Sequence, residues 1–274
     1  MPPVRIQKLL SEAGVASRRA IEQMILDGRL TVNGRLVAEL PCFVDPDKDD
    51  IVLDGQAVAK RAAAKVYLLL NKPRGVICTP GDPQGRPSVF DIIPPARQRV
   101  YCFGQLDHDS AGLVLLTNDG DMTQKLTHAR QGLEKRYVIE VDGRMMEPAI
   151  NAIKSGTYLD GRRTQPAKVK ILQRSPERSM IELDLVETVN REPRRVLAKV
   201  GHKVRRLKRI GLGPLSDDGI KIGRFRKLAL HEVRALQTIA DSQPQRRPRR
   251  SAINRRLKKR PQLGAMPKPD GHGN

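Results

Sequence analysis

Apolar residues near the start of the chain recur every three or four positions, the spacing that predicts amphipathic helices. One such stripe runs from Ile6 to Ala13 and stops at Gly14, a residue that favours the end of a helix. A second stripe follows Ser17, whose hydroxyl can cap a helix N-terminus, and it stops at Gly28. The pattern predicts two short helices.

The pattern then changes to short apolar segments around a turn. In RLTVNGRLV (29–37), apolar residues flank Asn33-Gly34, a dipeptide that strongly favours a β-hairpin. Two helices and a hairpin predict a small N-terminal domain over residues 1–60. The segment AKRAAAK (59–65) is typical of a linker.

Beyond the linker, the pattern predicts an α+β domain over residues 61–241. Two continuous apolar runs, YLLLN (67–71) and LVLLT (113–117), predict buried strands. Apolar and polar residues alternate in SMIELDLV (179–186), which predicts a strand with one buried face. The remaining predicted elements are strands at 136–141 and 167–172, a helix that starts at Asp119 or Gly120, and a helix with Pro193 in its first turn.

Composition narrows the class of protein. The 274 residues include 51 Lys and Arg against 30 Asp and Glu, a net charge of +21 that indicates a polyanionic partner. There is no run of about 18 apolar residues to span a bilayer, and the first ten residues do not resemble a secretory leader. Cys42, Cys78 and Cys102 are widely spaced, which argues against a disulfide framework or a structural zinc site. We therefore expect a cytoplasmic protein with reduced thiols and no membrane partner.

The positive charge is concentrated in two stretches. Residues 187–209 contain nine Lys and Arg against two acids, and residues 246–260 contain nine more without an acid. The second stretch lacks apolar periodicity, so residues 242–274 are predicted to form a disordered basic tail. We expect this tail to contact RNA without sequence selectivity; the alternative is a tail that only keeps the protein soluble.

Four segments, 67–94, 103–120, 134–143 and 187–215, occur in an order that resembles a known enzyme family. This part of the chain is similar to rRNA pseudouridine synthases of the small-subunit synthase A type, which include the large-subunit synthases B, E and F. The N-terminal domain is similar to S4 RNA-binding domains. The resemblance implies a mixed, mainly antiparallel sheet flanked by helices, and a reaction without cofactor or metal.

The resemblance also implies three catalytic residues. Asp107, in the GQLD motif, matches the family's catalytic aspartate. A carboxylate suits a reaction that breaks the C1′–N1 bond of uridine and joins C5 to C1′, because it can stabilise or trap a cationic sugar carbon. Tyr137, in the KRY block, is implied to stack on the flipped uracil. Arg194 is implied to pair with Asp107 and to keep its carboxylate charged and oriented.

A larger set of polar residues is expected to contact RNA, mostly at phosphates, which position a nucleic acid rather than specify it. Lys72, Arg74 and Arg86 are expected in loops near the active site. Gln105 stands where the family usually has arginine, and its amide can hydrogen-bond to a base edge or a phosphate. The full predicted set is Arg5, Lys8, Arg18, Arg19, Lys72, Arg74, Arg86, Gln105, Lys135, Arg191, Arg195, Lys199 and Arg205.

Two other functions are considered. A non-catalytic rRNA-binding or ribosome-assembly factor with the same fold is favoured by Gln105, whereas the three implied catalytic residues favour an enzyme. A metal-dependent nuclease would use Asp107, His108, Asp109 and His128, but adjacent residues of an extended segment point to opposite faces.

The expected partner is ribosomal RNA or a precursor of a ribosomal subunit, bound by a monomer. Large-subunit rRNA is preferred because more branches of the family act there. The sequence leaves the target uridine and the role of Gln105 open.

Overall fold

The computed structural model describes residues 3–58, 64–93, 99–128, 132–186 and 191–242, all of which belong to one compact unit. Most of the predicted linker, and the predicted tail from residue 243 onward, lie outside the described residues. The boundary predicted at residue 60 therefore stays a prediction.

The N-terminal domain contains the two predicted helices and the predicted hairpin. The Ser17 hydroxyl accepts a hydrogen bond from the Ala20 N–H at 3.1 Å, so it caps the second helix as expected. Asn33 and Gly34 have φ values of 51° and 74°, the left-handed conformations that a tight hairpin turn requires. The elements are β1 (Val4–Arg5), α1 (Ile6–Glu12), α2 (Arg18–Leu26), β2 (Leu30–Val32), β3 (Arg35–Leu36), β4 (Phe43–Val44), β5 (Ile51–Leu53) and β6 (Gln56–Ala57).

The rest of the described chain is the predicted mixture of strands and helices. The helix that follows LVLLT is capped by Asp119, whose carboxylate accepts from the Met122 N–H at 3.2 Å. Pro193 lies in the first turn of its helix, where its missing N–H leaves no hydrogen bond unmade. The elements are β7 (Tyr67–Lys72), α3 (Val89–Ile92), β8 (Tyr101–Phe103), β9 (Ala111–Thr117), α4 (Gly120–His128), β10 (Glu134–Asp142), α5 (Glu147–Ser155), β11 (Tyr158–Leu159), β12 (Arg162–Arg163), β13 (Lys168–Arg174), β14 (Arg178–Val186), α6 (Glu192–Lys199), β15 (Val204–Leu212), β16 (Leu215–Ser216), β17 (Phe225–Lys227) and α7 (Leu230–Asp241).

One mixed sheet organises this second domain. Within the described ranges it has nine strands, in the order β13-β14-β10-β15-β9-β7-β17, with β16 paired to β15 and β8 paired to β9. Its described strand pairs are antiparallel except for β9 with β15, which run parallel. The predicted α+β fold with a mainly antiparallel sheet is therefore confirmed.

Both faces of the central strands are buried, which explains their continuous apolar sequences. Leu68 and Leu70 of β7 pack into one core, whereas Leu69 packs into the core on the opposite face. Val114 and Leu115 of β9 divide between the two faces in the same way. Successive strand residues point to opposite faces of the sheet. A strand that is covered on both faces therefore has apolar residues at consecutive positions.

The parallel contact between β9 and β15 depends on a glycine. Gly112 has a φ of 112°, and a Cβ atom added to it would lie 2.1 Å from the Arg209 carbonyl oxygen. Only a residue without a side chain permits this approach. The close pairing brings Arg209 beside the segment that leads into β9.

The length and composition of the described helices bear on the expectation that the chain has no membrane partner. None of the described helices combines the length and the apolar character that are needed to cross a bilayer.

Candidate active site

The segment between β8 and β9, residues 104–110, carries Asp107 and is held by the neighbouring loop. The Gly75 N–H donates to the His108 carbonyl oxygen at 2.8 Å, and the Arg74 Nε–H donates to the Asp109 carbonyl oxygen at 3.1 Å. These bonds attach the backbone on the C-terminal side of Asp107 to the loop that follows β7. The Asp107 side chain is therefore mounted on a fixed segment and is 24% exposed.

The start of α6 brings two guanidinium groups to this carboxylate. The Nε atoms of Arg191 and Arg194 each lie 3.4 Å from Asp107 Oδ2. Arg194 is 13% exposed, whereas Arg191 is 56% exposed and has a left-handed backbone with a φ of 57°. The predicted pairing of Asp107 with Arg194 is present, and Arg191 is a second cation at the same oxygen.

Arg194 also braces the segment that carries Asp107. Its Nη2 atom lies 3.0 Å from Asp109 Oδ2 and donates to the buried Ser110 hydroxyl at 3.0 Å. Its Nε atom is buried and makes no hydrogen bond to any described residue. A hydrogen bond to Ser110 and an ion pair with Asp109 therefore anchor Arg194, while its contact with Asp107 is electrostatic.

Tyr137 lies on β10, with its ring at the floor of the site. It is 1% exposed and contributes to the hydrophobic core. It also lines a small cavity of about 40 Å³ together with Asp107, Ser110 and Arg194. A space of this size is far below the 300–1,000 Å³ of typical ligand pockets, so a uracil could reach Tyr137 only if neighbouring side chains moved.

Arg209 is a residue of the site that the sequence did not predict. It is 0% exposed, and its guanidinium donates to the Leu113 carbonyl oxygen at 2.7 Å and to the Gly104 carbonyl oxygen. It thereby attaches the N-terminal end of the Asp107 segment to the sheet. The available signal was the alternation of β15, where Arg209 occupies the same face as the buried Leu207.

Lys72 requires a correction. The prediction that it lies in a loop and contacts RNA is wrong, because it is the last residue of β7 and is 0% exposed. Its ammonium group donates to the carbonyl oxygens of Pro73 and Val76 at 3.0 and 2.7 Å. Burial lowers the pKa of Lys72 below the usual lysine value. Lys72 therefore shapes the loop that holds the Asp107 segment.

An open cleft lies outside the Asp107 carboxylate. It has a volume of about 380 Å³, and its lining includes Arg86, Gln105, Asp107 and Arg191. Arg86 is held by Asp82, whose carboxylate accepts from Arg86 Nε at 2.8 Å. Three of the predicted RNA contacts thus surround the proposed catalytic carboxylate.

Other predicted RNA contacts have protein partners. Lys8 lies 2.8 Å from Asp121 Oδ1, Arg195 donates to Asp160 at 2.6 Å, and Arg205 donates to Asp142. Lys135 is half-buried, and an exposed group consists of Arg5, Arg18, Arg19 and Lys199. Contact of these residues with RNA stays a prediction.

Cys78 has an unusual electrostatic environment beside this site. The Leu106 N–H donates to its sulfur at 3.4 Å. Hydrogen bonding by the Cys102 thiol is the largest of the effects that lower the pKa of Cys78, and the charges of Lys72 and Arg209 act in the same direction against burial. The same pairing raises the pKa of Cys102, and burial raises the pKa of Cys42.

The lowered pKa of Cys78 predicts that this thiol loses its proton at a lower pH than an ordinary cysteine. Because the pKa of Cys78 is lowered, its thiolate should form as pH rises through a value below the roughly 8.5 of a free cysteine. Thiolate absorbance at 240 nm should therefore show an early step, which Cys78→Ala removes and Cys42→Ala leaves in place. An early step that survives in Cys78→Ala would contradict the assignment.

Among the described residues, two arginine side chains lie beside the Asp107 carboxylate. Within the described ranges no group of three or more His, Cys, Asp or Glu side chains could hold a metal ion, and the His128 side chain lies outside them. Asp107 and Asp109 instead share Arg194. Such a carboxylate can stabilise or attack a cationic carbon.

Two family models match the chain. A model described as RNA pseudouridylate synthase matches residues 66–199. A model of the S4 domain matches residues 4–39. The two matches fall on the second and first domains respectively, in the order that the sequence predicted.

Individual relatives match over most of the chain. The ribosomal large subunit pseudouridine synthase B of Bacillus subtilis is 40% identical over 239 residues, which cover 86% of this chain and 97% of the relative. An uncharacterized RNA pseudouridine synthase of Aquifex aeolicus is 36% identical over 86% of this chain and 94% of its own. A crystal structure of a pseudouridylate synthase matches with a TM-score of 0.62 and 26% identity, over 85% of this chain and 99% of that one.

Proposed function

The chain belongs to the RNA pseudouridine synthase family, and from that premise we propose that it converts one uridine of large-subunit ribosomal RNA to pseudouridine. The observation that carries the proposal is Asp107, which lies in an open cleft with two arginines at its carboxylate and Tyr137 behind it. The relative from Bacillus subtilis supports the choice of the large subunit.

In the proposed reaction, Asp107 acts at C1′ of the target nucleotide. The C1′–N1 bond breaks with its electron pair on the uracil, and the carboxylate stabilises or traps the cationic sugar carbon. The uracil turns, and C5 bonds to C1′ while any bond between Asp107 and C1′ breaks and returns its electron pair to the carboxylate. C5 then loses its proton and N1 takes up a proton, which gives pseudouridine. Atoms and electrons balance without a redox partner, so no cofactor is required by the chemistry.

Tyr137 and Arg194 support this step from fixed positions. The Tyr137 ring offers a flat surface on which the released uracil can stack while it turns. Through Nη2, Arg194 contacts Asp109 and Ser110, and through Nε it lies beside Asp107, which we propose orients the carboxylate toward the cleft. The enzyme is further proposed to act as a monomer in the cytoplasm, where its three cysteines, none of which forms a disulfide in the structure, would stay reduced.

Arg191 is proposed to change partners when RNA binds. It is the exposed member of the arginine pair and borders both the cleft and the small cavity beside Tyr137. A phosphate of the target strand can replace Asp107 as its partner, which opens the way to Tyr137. Arg194 stays in place because Asp109 and Ser110 hold it.

This difference predicts distinct kinetic effects for the two arginines. Arg191→Ala should raise KM about threefold to tenfold with little change in kcat, because a phosphate contact is lost. Arg194→Ala should lower kcat about 100-fold, because a preorganised charge at the reacting group is lost. Steady-state kinetics on an RNA fragment would measure both, and equal effects on kcat from both variants would contradict the assignment.

The basic tail is proposed to add affinity without selectivity. Removal of residues 242–274, which contain the nine basic residues of 246–260, should weaken binding to all RNA sequences. The slope of log affinity against log salt should fall by about 0.7–0.9 for each lost phosphate contact. A tail of equal length with its basic residues replaced by glutamine should behave like the deletion, and a changed target uridine would show that the tail specifies.

Pseudouridine mapping tests the proposed function. Ribosomal RNA from cells with and without this protein should differ at one large-subunit uridine, and the purified protein should modify that uridine in a fragment or subunit. If the protein binds rRNA but forms no pseudouridine on any fragment or subunit, it is instead a binding or assembly factor. A changed uridine in small-subunit rRNA would overturn only the choice of subunit.

A further inference from the structure

A second cavity lies between the N-terminal domain and the catalytic domain. Its volume is about 640 Å³, within the range of about 300–1,000 Å³ that is typical of ligand pockets. One wall comes from the end of α1 and the start of α2, including Glu12 and Arg18. The opposite wall comes from β8 and α4, including Tyr101 and Gln124.

This cavity is adjacent to the cleft that holds Asp107. Cys78, Thr79 and Gln105 line both spaces. Gln105 also borders the small cavity beside Tyr137, so this one side chain lies where all three spaces meet. A polynucleotide with one nucleotide at Asp107 can therefore extend past Gln105 into the second cavity.

The lining has the groups that recognise an unpaired base. Tyr101 offers an aromatic surface, and Arg18 and Arg99 are exposed guanidinium groups. Unstacked RNA bases are recognised by stacking on aromatic or guanidinium planes and by hydrogen bonds at their edges. Gln105 and Gln124 can supply such hydrogen bonds.

Glu12 adds an acceptor to this lining. Its Oε1 atom is buried and has no hydrogen-bond partner among the described residues, although Lys8 lies 3.7 Å away. A carboxylate at this position repels a phosphate and accepts well from the amino group of a base. The lining therefore fits the base of a nucleotide better than its phosphate.

We propose that this cavity binds an unpaired, amino-bearing nucleobase that is a sequence neighbour of the target uridine. This inference rests on the proposed function, because it assumes that the target uridine occupies the Asp107 cleft. The N-terminal domain then contributes a wall of a base-binding site as well as charge. Gln105, at the junction, contacts the strand between the two bases.

Adjacent arginines on α2 provide a matched pair for the test. Arg18 lines the cavity, whereas Arg19 is also exposed and does not line it. The RNA would be the fragment that carries the mapped uridine, or the most tightly bound rRNA fragment if none is modified. Each flanking nucleotide would be replaced in turn by an abasic residue, and the Kd of each fragment would be measured by fluorescence anisotropy.

The Kd should rise about tenfold for an abasic residue at one flanking position, as for the loss of one stacked base. In Arg18→Ala that increase should largely disappear, because the variant has already lost the contact. Arg19→Ala should weaken all fragments equally and retain the tenfold difference. Glu12→Gln should reduce the preference for an amino-bearing base at the same position.

The inference is overturned if no flanking position is coupled to Arg18, or if Arg19→Ala shows the same coupling. Failure of the proposed function is a separate result, since it is seen as the absence of pseudouridine with the wild-type protein. Because Kd does not depend on catalysis, coupling to Arg18 can be measured in either case.

Discussion

Asp107→Asn should reduce pseudouridine formation to less than about 10⁻⁴ of the wild-type rate, since enzymes accelerate their chemical steps by about 10⁶-fold or more. The amide has the shape of the carboxylate but lacks the negative charge that stabilises or attacks the sugar carbon. The side chain is partly exposed and its described contacts are with Arg191 and Arg194. The substitution should therefore leave the fold intact.

RNA affinity separates this effect from a binding defect. The Kd for the target fragment should stay within a few-fold of wild type, because removing one negative charge from the cleft does not disfavour an anion. Asp109→Asn is the matched control, since Asp109 shares Arg194 but lies outside the small cavity beside Tyr137. It should lower kcat about tenfold by loosening Arg194. Substantial activity in Asp107→Asn would refute the proposed mechanism.

Arg209→Met should have the largest effect on stability. The methionine fills much of the same space but donates no hydrogen bonds, so the Leu113 and Gly104 carbonyl groups lose their guanidinium partner. An unsatisfied buried polar group costs about 1–3 kcal/mol. The free energy of unfolding should therefore fall by about 2–5 kcal/mol, measured by urea denaturation.

Arg209 should also behave as a positioning residue for Asp107. At a temperature where Arg209→Met is still folded, kcat should fall about 100-fold, because a displacement of about 1 Å can cost that much. KM should change little, since Arg209 is buried and does not reach the RNA. Arg209→Lys, which can still donate to one carbonyl group, should recover part of kcat.

A neighbour on the same strand supplies the control. Arg206 is 74% exposed and lies 3.5 Å from Glu140 in a surface ion pair. Arg206→Met should change the free energy of unfolding by less than about 1 kcal/mol and leave kcat unchanged. If Arg209→Met were destabilised but had normal kcat below its Tm, Arg209 would be structural only.

The N-terminal domain and the central strands were predictable because their signals are local. Ser17 caps a helix through a bond to a residue three positions away, and Asn33-Gly34 forms its turn within the dipeptide. The apolar run of β9 indicated burial on its own. None of these features depends on which distant segment lies beside it.

Asp107, Tyr137 and Arg194 were predicted from the resemblance, and the structure brings them together from three distant segments. The sequence did not predict which basic side chains are buried and which are exposed. Lys72 and Arg74 are separated by one residue, yet Lys72 is fully buried and Arg74 is exposed. The difference arises because β7 ends at Lys72, beneath the loop whose carbonyl groups it binds.

The chain's composition and local patterns determined most of its strands and helices and an anionic partner, and they predict a division into two domains. Only the tertiary structure decided which basic residues lie at the site and which lie on the surface. Arg209 follows a run of basic residues that includes exposed Arg205 and Arg206, but its pairing beside Gly112 turns it inward to Gly104. Burial and hydrogen bonding depend on neighbours about 100 residues away in the chain, and a local sequence pattern carries no record of them.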